Sequence, residues 1–223
     1  KGQKAIYCKT YNLENEMERK MYTDQTGRFP TRSHRGYEYI MVLFEVDSNA
    51  ILVEPHKSRR KSDLVNAYQK LVDRLKARGF HPKPHILDNE KSSELEAAIV
   101  KNKMTFQYVP PNDHRRNIAE KAIQVFKDHF IAVLCGTDVS FPAKLWCYLL
   151  VQAEHQLNML RKSRVDKSKS SYEVLYGQHD YNANPWAPLG AAIEVHVVPQ
   201  NRKTWSEHTL TGWYLGNARF HYR

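Results

Sequence analysis

The sequence predicts an α/β fold in which a mixed five-stranded sheet is flanked by helices and followed by a small C-terminal extension that contains β-strands. Two observations predict it. Three consecutive stretches rich in β-branched and aromatic residues come first, which is typical of an antiparallel meander. Two further short strands then alternate with segments whose apolar residues recur at helical spacing, which favours a sheet covered by helices.

The first three strands are predicted at residues 17–24, 36–46 and 50–54. The second is rich in Tyr, Ile, Val and Phe, which fit a pleated and partly buried surface. Between the second and third strands, Asp47, Ser48 and Asn49 favour a tight turn, because short polar side chains stabilise turn conformations. A short turn of this kind joins antiparallel neighbours.

The middle of the chain alternates helices and strands. We predict that Ser62 caps a first helix and that Gly79 adopts a left-handed conformation after its end. A strand at 84–88, a helix opened by Ser92 or Ser93 and a fifth strand at 104–109 follow. The polar and proline-rich segment 110–113 ends that strand.

A long helix is predicted at about 117–134 and another at about 142–161. In the long helix, Glu120 lies beside the apolar stripe, on the face that Arg116, Gln124 and Lys127 share. A carboxylate is therefore expected within a basic, polar row. The stripe itself consists of Ala119, Ile123, Phe126, Phe130 and Val133.

After Lys162 the composition becomes polar and basic, which is typical of a linker or an exposed loop. We therefore predict an N-terminal lead at 1–16, a core domain at 17–162, and a linker with a small β-rich extension at 163–223. Trp146 is expected in the core, and Trp205 and Trp213 are expected to pack the terminal extension.

Composition restricts the partners and the compartment. The 34 Lys and Arg residues outweigh the 24 Asp and Glu residues, and the resulting net charge of +10 favours a polyanion, first of all nucleic acid. Three cysteines without a CxxC pair disfavour a disulfide framework and a Cys-rich zinc site. The apolar runs are too short for a membrane span and no signal peptide opens the chain, so we expect neither a membrane partner nor secretion.

Three carboxylates are placed where the predicted elements could bring them together: Asp24 at the end of the first strand, Asp88 at the end of the fourth, and Glu120 on the long helix. In-line attack on a phosphodiester needs both the entering and the leaving oxygen stabilised, and two divalent ions held by acids provide this. A chain with 24 acidic residues places some at strand ends by chance, however, so spacing alone favours an incidental arrangement.

The residues that flank these three acids give a more specific indication of function. The segments Thr23-Asp24-Gln25-Thr26-Gly27, Leu87-Asp88-Asn89-Glu90 and 110–121, which ends in Asn117-Ile118-Ala119-Glu120-Lys121, resemble the D, D and E blocks of retroviral and copia-like LTR retrotransposon integrases. The resemblance covers roughly 17–161. It implies a ribonuclease-H-like fold, 3′-end processing and strand transfer of retroelement DNA, and two Mg²⁺ ions, for which Mn²⁺ can substitute.

The same resemblance implies roles for individual residues. Asp24 would bridge both metal ions, while Asp88 and Glu120 would each hold one. Asn112 matches the Asn of the loop before the catalytic Glu, and Arg116, Gln124 and Lys127 match the helix face that meets DNA. The basic residues Arg161, Lys162 and Arg164 are predicted to contact DNA phosphates.

An integrase must join both element ends to one target, so the resemblance also implies a homo-oligomer that acts in the nucleus, reached through cytoplasmic particles. Two departures stand out. Glu120 follows Asp88 by 32 positions (120 − 88), fewer than in most retroviral members, and Cys8 lacks the neighbours of the family's N-terminal zinc domain. A loop deletion explains the first.

Two other functions remain open from the sequence. A catalytically silent DNA-binding or scaffold protein derived from a retroelement would keep the basic surface, although the intact acids argue against it. A ribonuclease-H-type nuclease would need a further acid, for which Glu90 is the nearby candidate. Residues 57–61 fit a nuclear localisation signal and a solvated flank equally well, and His85 and His114 are expected to be structural or exposed.

Overall fold

A computed structural model describes residues 19–87, 92–108 and 118–217. All five sheet strands and all the long helices that the sequence predicts are present. In chain order the elements are β1 Met21–Gln25, β2 Tyr39–Glu45, β3 Ala50–His56, α1 Lys61–Lys76, β4 Pro84–Leu87, α2 Ser93–Lys101, β5 Thr105–Tyr108, α3 Ile118–Cys135, α4 Trp146–Leu160, α5 Ser171–Tyr176, β6 Ala192–His196 and β7 Thr209–Trp213.

The strands β1 to β5 form one mixed sheet in the order β3-β2-β1-β4-β5. The first three strands are antiparallel neighbours, as the meander prediction requires, whereas β4 lies parallel to β1 and β5 lies parallel to β4. The strands β6 and β7 pair with each other in a separate two-stranded sheet. The predicted fold class, with its C-terminal β extension, is therefore confirmed.

Each face of the five-stranded sheet buries its own apolar cluster. On one face Tyr22 packs with Phe126 of α3 and Leu150 of α4. On the other face Met21 packs with Tyr68 of α1 and with residues of α2. Because successive strand residues point to opposite faces, the even-numbered positions of β1 are directed towards α3 and α4.

The edge strand β3 is closed by side chains. The backbone N–H and C=O of Ile51 bond to the Asn158 side-chain amide at 2.9 and 2.8 Å. The N–H of Val53 donates to Glu154 Oε2 at 2.7 Å, and its C=O accepts from Arg74 Nη1 at 3.1 Å. These side chains occupy the positions that another strand would use.

Proline completes this closure. Ile51 and Val53 direct their backbone groups away from β2, and Pro55 is the next residue of the same alternation. Proline has no N–H to donate, which is why it is tolerated on an edge strand. We call this arrangement the sealed β3 edge.

One predicted helix start is wrong. Helix α1 begins at Lys61 with Arg60 in the N-cap position, where Ser62 was predicted, and Arg60 makes no side-chain capping bond. Ser58 organises this turn instead, since its hydroxyl accepts from the N–H of Arg60 at 3.1 Å and donates to Asp63 at 2.6 Å. With this local side-chain hydrogen bond, the N-cap lies two residues nearer the N-terminus than predicted.

The other two helix-end predictions are confirmed. Ser92 caps α2, since its hydroxyl accepts from the N–H of Leu95 at 3.4 Å. Gly79 has a left-handed φ of +82°, which costs glycine little because it lacks a Cβ.

The basic stretch after α4 is folded against the core. Ser163 is buried, and the N–H groups of Arg164 and Val165 donate to the C=O of Asp47 at 3.0 and 3.2 Å. A capping box between Ser170 and Glu173 then starts α5. The domain boundary after residue 162 stays a prediction, but this segment contacts the turn that joins β2 and β3.

The terminal extension corrects one expectation. Trp213 is partly buried, and its indole N–H donates to Ser140 at 3.2 Å, whereas Trp205 is 98% exposed. The prediction that Trp205 packs the extension is therefore wrong. Trp205 lies between β6 and β7, in a connecting segment that the described residues of the core leave uncovered. Trp146, by contrast, is fully buried as predicted.

Within the described ranges, no helix is long and apolar enough to cross a membrane. In the same ranges Cys135 is exposed and Cys147 is buried, and both are free thiols. Cys8 lies outside the described residues.

Candidate active site

Asp24 is the fourth residue of β1 and pairs with Val42 of β2. The strand continues to Gln25, so Asp24 lies one residue before the strand end and not at the end itself, where it was predicted. Tyr22 and Val42 both pack against α3 and α4, and alternation along the strand directs Asp24 to that same face. Its side chain is partly buried, and Oδ1 accepts from the N–H of Gln25 at 2.7 Å.

The end of β4 lies beside the end of β1. The parallel register pairs Thr23 with Leu87, the last described residue of that strand. In open α/β sheets, the carboxyl ends of adjacent parallel strands are where functional groups converge. Asp88 and Glu90 lie outside the described residues.

Glu120 lies exposed in the first turn of α3. A carboxylate there is favoured by the positive end of the helix dipole. Gln124 and Lys127 are exposed on the same helix, in agreement with the predicted polar row, while Ala122 and Phe126 pack on the sheet. Asn112, Arg116 and His114 lie outside the described residues.

The structure thus places Asp24 on the sheet face that α3 covers, and Glu120 at the start of α3. Within residues 19–87, 92–108 and 118–217, no group of three or more His, Cys, Asp or Glu side chains is arranged to hold a metal ion. The third predicted acid, Asp88, is outside these ranges. What the described residues supply is two acids on one side of the sheet.

The basic residues after α4 form a second feature on this side of the sheet. The guanidinium carbons of Arg161 and Arg164 each lie 5.7 Å from the ring centre of Phe44. Phe44 belongs to the same cluster as Val42, the partner of Asp24. Lys162 is exposed and forms an isolated backbone bridge with Ser170.

Comparisons with known proteins agree with this architecture. The sequence matches no protein-family model and no curated protein. Among solved structures, the chain is similar to the crystal structure of the catalytic core domain of BIV integrase, with a TM-score of 0.51 and 16% sequence identity. The likeness covers 70% of this chain and 93% of that domain. The chain has the fold of an integrase catalytic core.

This integrase-core fold confirms the ribonuclease-H-like arrangement that the sequence motifs implied. At 16% identity the likeness concerns the fold.

The integrase-core fold also contains a cavity that the sequence did not predict. A cavity of about 730 Å³ lies between β3, α4 and the segment around Trp186, and neither Asp24 nor Glu120 lines it. Glu154, only 1% exposed, and Arg74 form an ion pair at its wall. A usable signal existed, since Glu154 falls between Leu150 and Leu157 at helical spacing, on an otherwise apolar stripe of α4.

His85 lies in the core of the integrase-core fold, as a structural residue would. It is fully buried, its Nε2 lies 2.7 Å from the hydroxyl of Thr23, and its ring stacks on Tyr68 at 5.3 Å. Burial lowers the pKa of His85 to about 3. The folded protein therefore keeps this imidazole neutral.

His85 should make folding sensitive to acid. In the unfolded chain it protonates below about pH 6.5, whereas in the folded protein it stays neutral down to about pH 3. Stability is therefore lost as the pH falls through this window, by about 1.4 kcal/mol per pH unit from this one proton. Urea unfolding at pH 7 and pH 5 should show a smaller pH difference for His85→Gln than for the parent. An equal difference in both proteins would exclude this role.

Proposed function

We propose that this chain is a metal-dependent DNA integrase of the DDE type, which trims and joins the DNA ends of a copia-like LTR retrotransposon. The observation that supports this most is the position of Asp24. It lies in an integrase-core fold, on the sheet face that α3 covers, with Glu120 in the first turn of α3. The sequence blocks around Asp24, Asp88 and Glu120 resemble those of integrases, which is why a catalytic role is proposed for Asp24.

The donor set fits the proposed metal. Asp24 is partly buried and Glu120 is exposed, and carboxylate oxygens are the hard ligands that Mg²⁺ and Mn²⁺ prefer. Asp24, Asp88 and Glu120 would hold the ions. Two such ions would stabilise the entering and leaving oxygens of an in-line displacement at phosphorus. The chain's own task is to hold three acids on rigid elements and to orient the DNA strand.

Basic and polar residues are proposed to bind the DNA. The described ones lie on α3 and after α4, Asn112 and Arg116 are outside the described residues, and the net charge of +10 supports a polyanionic partner. Concerted joining of two ends to one target further implies that copies of the chain act together. The proposed DNA-contacting residues are Asn112, Arg116, Gln124, Lys127, Arg161, Lys162 and Arg164.

A strand-transfer assay tests the proposal. The protein is incubated with a labelled short duplex that carries a retroelement end and with supercoiled plasmid, in Mg²⁺, in Mn²⁺ or in EDTA. Labelled plasmid should form with either metal and be absent in EDTA. Tight DNA binding without a joined product in either metal would instead identify a catalytically silent DNA-binding protein.

A further inference from the structure

Arg161 and Arg164 share one aromatic platform. Phe44 is only 2% exposed, and both guanidinium groups lie over its ring at 5.7 Å. Cations favour the face of an aromatic ring, which explains why each one lies there. Two positive charges on the same ring also repel each other. The pKa of Arg161 is lowered, first by its burial and then by the charge of Arg164.

Arg161 is held in place before any ligand binds. Its Nε donates to the C=O of Asn49 at 2.8 Å, and its Nη2 donates to Asn49 Oδ1 at 2.7 Å. The amide of Asn49 donates in turn to the C=O of Lys162 at 2.8 Å. Asn49 itself has a left-handed φ of +58°, a conformation that Asn tolerates better than most residues. The side chain of Arg161 therefore loses little conformational entropy when a ligand binds.

The loop that carries Arg164 is fastened to the same turn. The N–H groups of Arg164 and Val165 donate to the C=O of Asp47, and the hydroxyl of Ser163 donates to the same oxygen at 3.4 Å. The cations therefore lie on a fixed segment, although the side chain of Arg164 is exposed.

No acidic side chain within the described ranges forms an ion pair with either arginine. The nearby Lys169, by contrast, pairs with Asp166 at 3.3 Å. Two adjacent guanidinium groups without a carboxylate favour the binding of an anion. The planar fork of arginine matches the oxygens of a phosphate group.

We propose that Arg161 and Arg164, on the platform of Phe44, form a two-arginine clamp for a backbone phosphate of DNA. Exposed Lys162 next to the clamp favours a polyanion over a single phosphate ion.

The clamp lies on the same face of the sheet as Asp24, towards the opposite end of β1. Phe44 follows Val42, the partner of Asp24, by two residues on the same face of β2, which is roughly 7 Å along the strand. A phosphate held there would anchor the DNA at one end of the sheet face on which Asp24 lies. This role in orienting the reacting strand rests on the proposed function, whereas binding itself does not depend on catalysis.

The test measures DNA binding without metal, so it is independent of strand transfer. Fluorescence anisotropy with a labelled 20-bp duplex is recorded in EDTA over a series of KCl concentrations. Arg164→Gln should weaken binding about tenfold at low salt and reduce the slope of log K against log salt by about 1. Arg164→Lys should keep the slope and lose part of the affinity, because the charge remains and the fork is lost.

Lys167→Gln is the matched control, since it removes one exposed positive charge from the same loop without touching Phe44. It should change the affinity for the duplex less than threefold, which is roughly the effect of losing one exposed charge that is screened by salt. Equal losses for Arg164→Gln and Lys167→Gln would mean a diffuse basic surface and overturn the clamp.

Inorganic phosphate is used to test whether the clamp binds a free phosphate ion or a phosphate of the DNA backbone. If it raises the melting temperature of the parent but not of Arg164→Gln, while both proteins bind the duplex equally, the site takes free phosphate and the assignment to DNA fails. If strand transfer fails but the Arg164 effect on duplex binding holds, only the proposed enzyme activity is lost.

Discussion

Asp24→Asn should lower the rate of metal-dependent strand transfer by at least about 1,000-fold, because a metal ion contributes several kcal/mol to stabilising the charge that develops at phosphorus. Asparagine has nearly the same shape and keeps an oxygen that can accept a hydrogen bond from the N–H of Gln25. It lacks the negative charge that holds a divalent cation. The loss should therefore appear in the rate and leave the thermal unfolding transition nearly unchanged.

A matched control is available on α3. Asp128 is exposed on the same helix as Glu120, eight positions further along (128 − 120). Asp128→Asn should change the rate less than about twofold, since surface charges act weakly in salt. Glu120→Gln should resemble Asp24→Asn. If Asp24→Asn and Asp128→Asn are equally active, Asp24 holds no catalytic ion and the proposed site is wrong.

Glu154→Ala should reduce the free energy of unfolding by about 2 to 3 kcal/mol, because it removes a buried carboxylate that accepts hydrogen bonds from a partly exposed arginine and from a backbone N–H. The substitution leaves the guanidinium of Arg74 without its carboxylate and the N–H of Val53 without its acceptor. Alanine is a good helix former, so α4 itself should not be weakened. Urea unfolding at pH 7 measures the change.

A second ion pair nearby provides the contrast. Lys70 and Glu54 lie 2.8 Å apart, with Lys70 half exposed, and Lys70→Gln should cost less than about 1 kcal/mol. Combining Arg74→Met with Glu154→Leu should cost less than Glu154→Ala alone, because no charge remains buried without a partner. If the double variant loses as much stability as Arg74→Met and Glu154→Leu lose separately and summed, the ion pair is not coupled.

The order of the main elements could be predicted from the sequence because hydrophobic periodicity is a local property. Each strand and each long helix repeats its pattern within its own residues, as α1 does from Leu64 to Leu75. Their ends were less predictable. The start of α1 depends on a bond between Ser58 and Asp63, which competes with the capping role expected of Ser62.

Burial of charged and aromatic residues depends on contacts that are distant in the chain. Glu154 is buried because Arg74 and Val53, from α1 and β3, meet it. The exposure of Trp205 depends on where its connecting segment lies relative to the core, which no local pattern encodes.

For the candidate site, the sequence could place Asp24 on a strand and Glu120 on a helix. It could not determine which sheet face that helix covers, since this follows from the packing of Phe126 and Phe130 against β1 and β2. Nor did it foresee that Arg161 and Arg164 share the ring of Phe44, because the three residues come from β2 and from the segment after α4.

The sealed β3 edge limits how copies of this chain can associate. Fibril growth through sheets needs two open edges on every copy, one to receive a strand and one to offer the next. Asn158, Glu154 and Arg74 remove one of them. Pairing through β5, at the opposite side of the sheet, would stop after two copies and bury that edge as well. The side chains that stabilise β3 thereby also protect the five-stranded sheet against open-ended edge-to-edge growth.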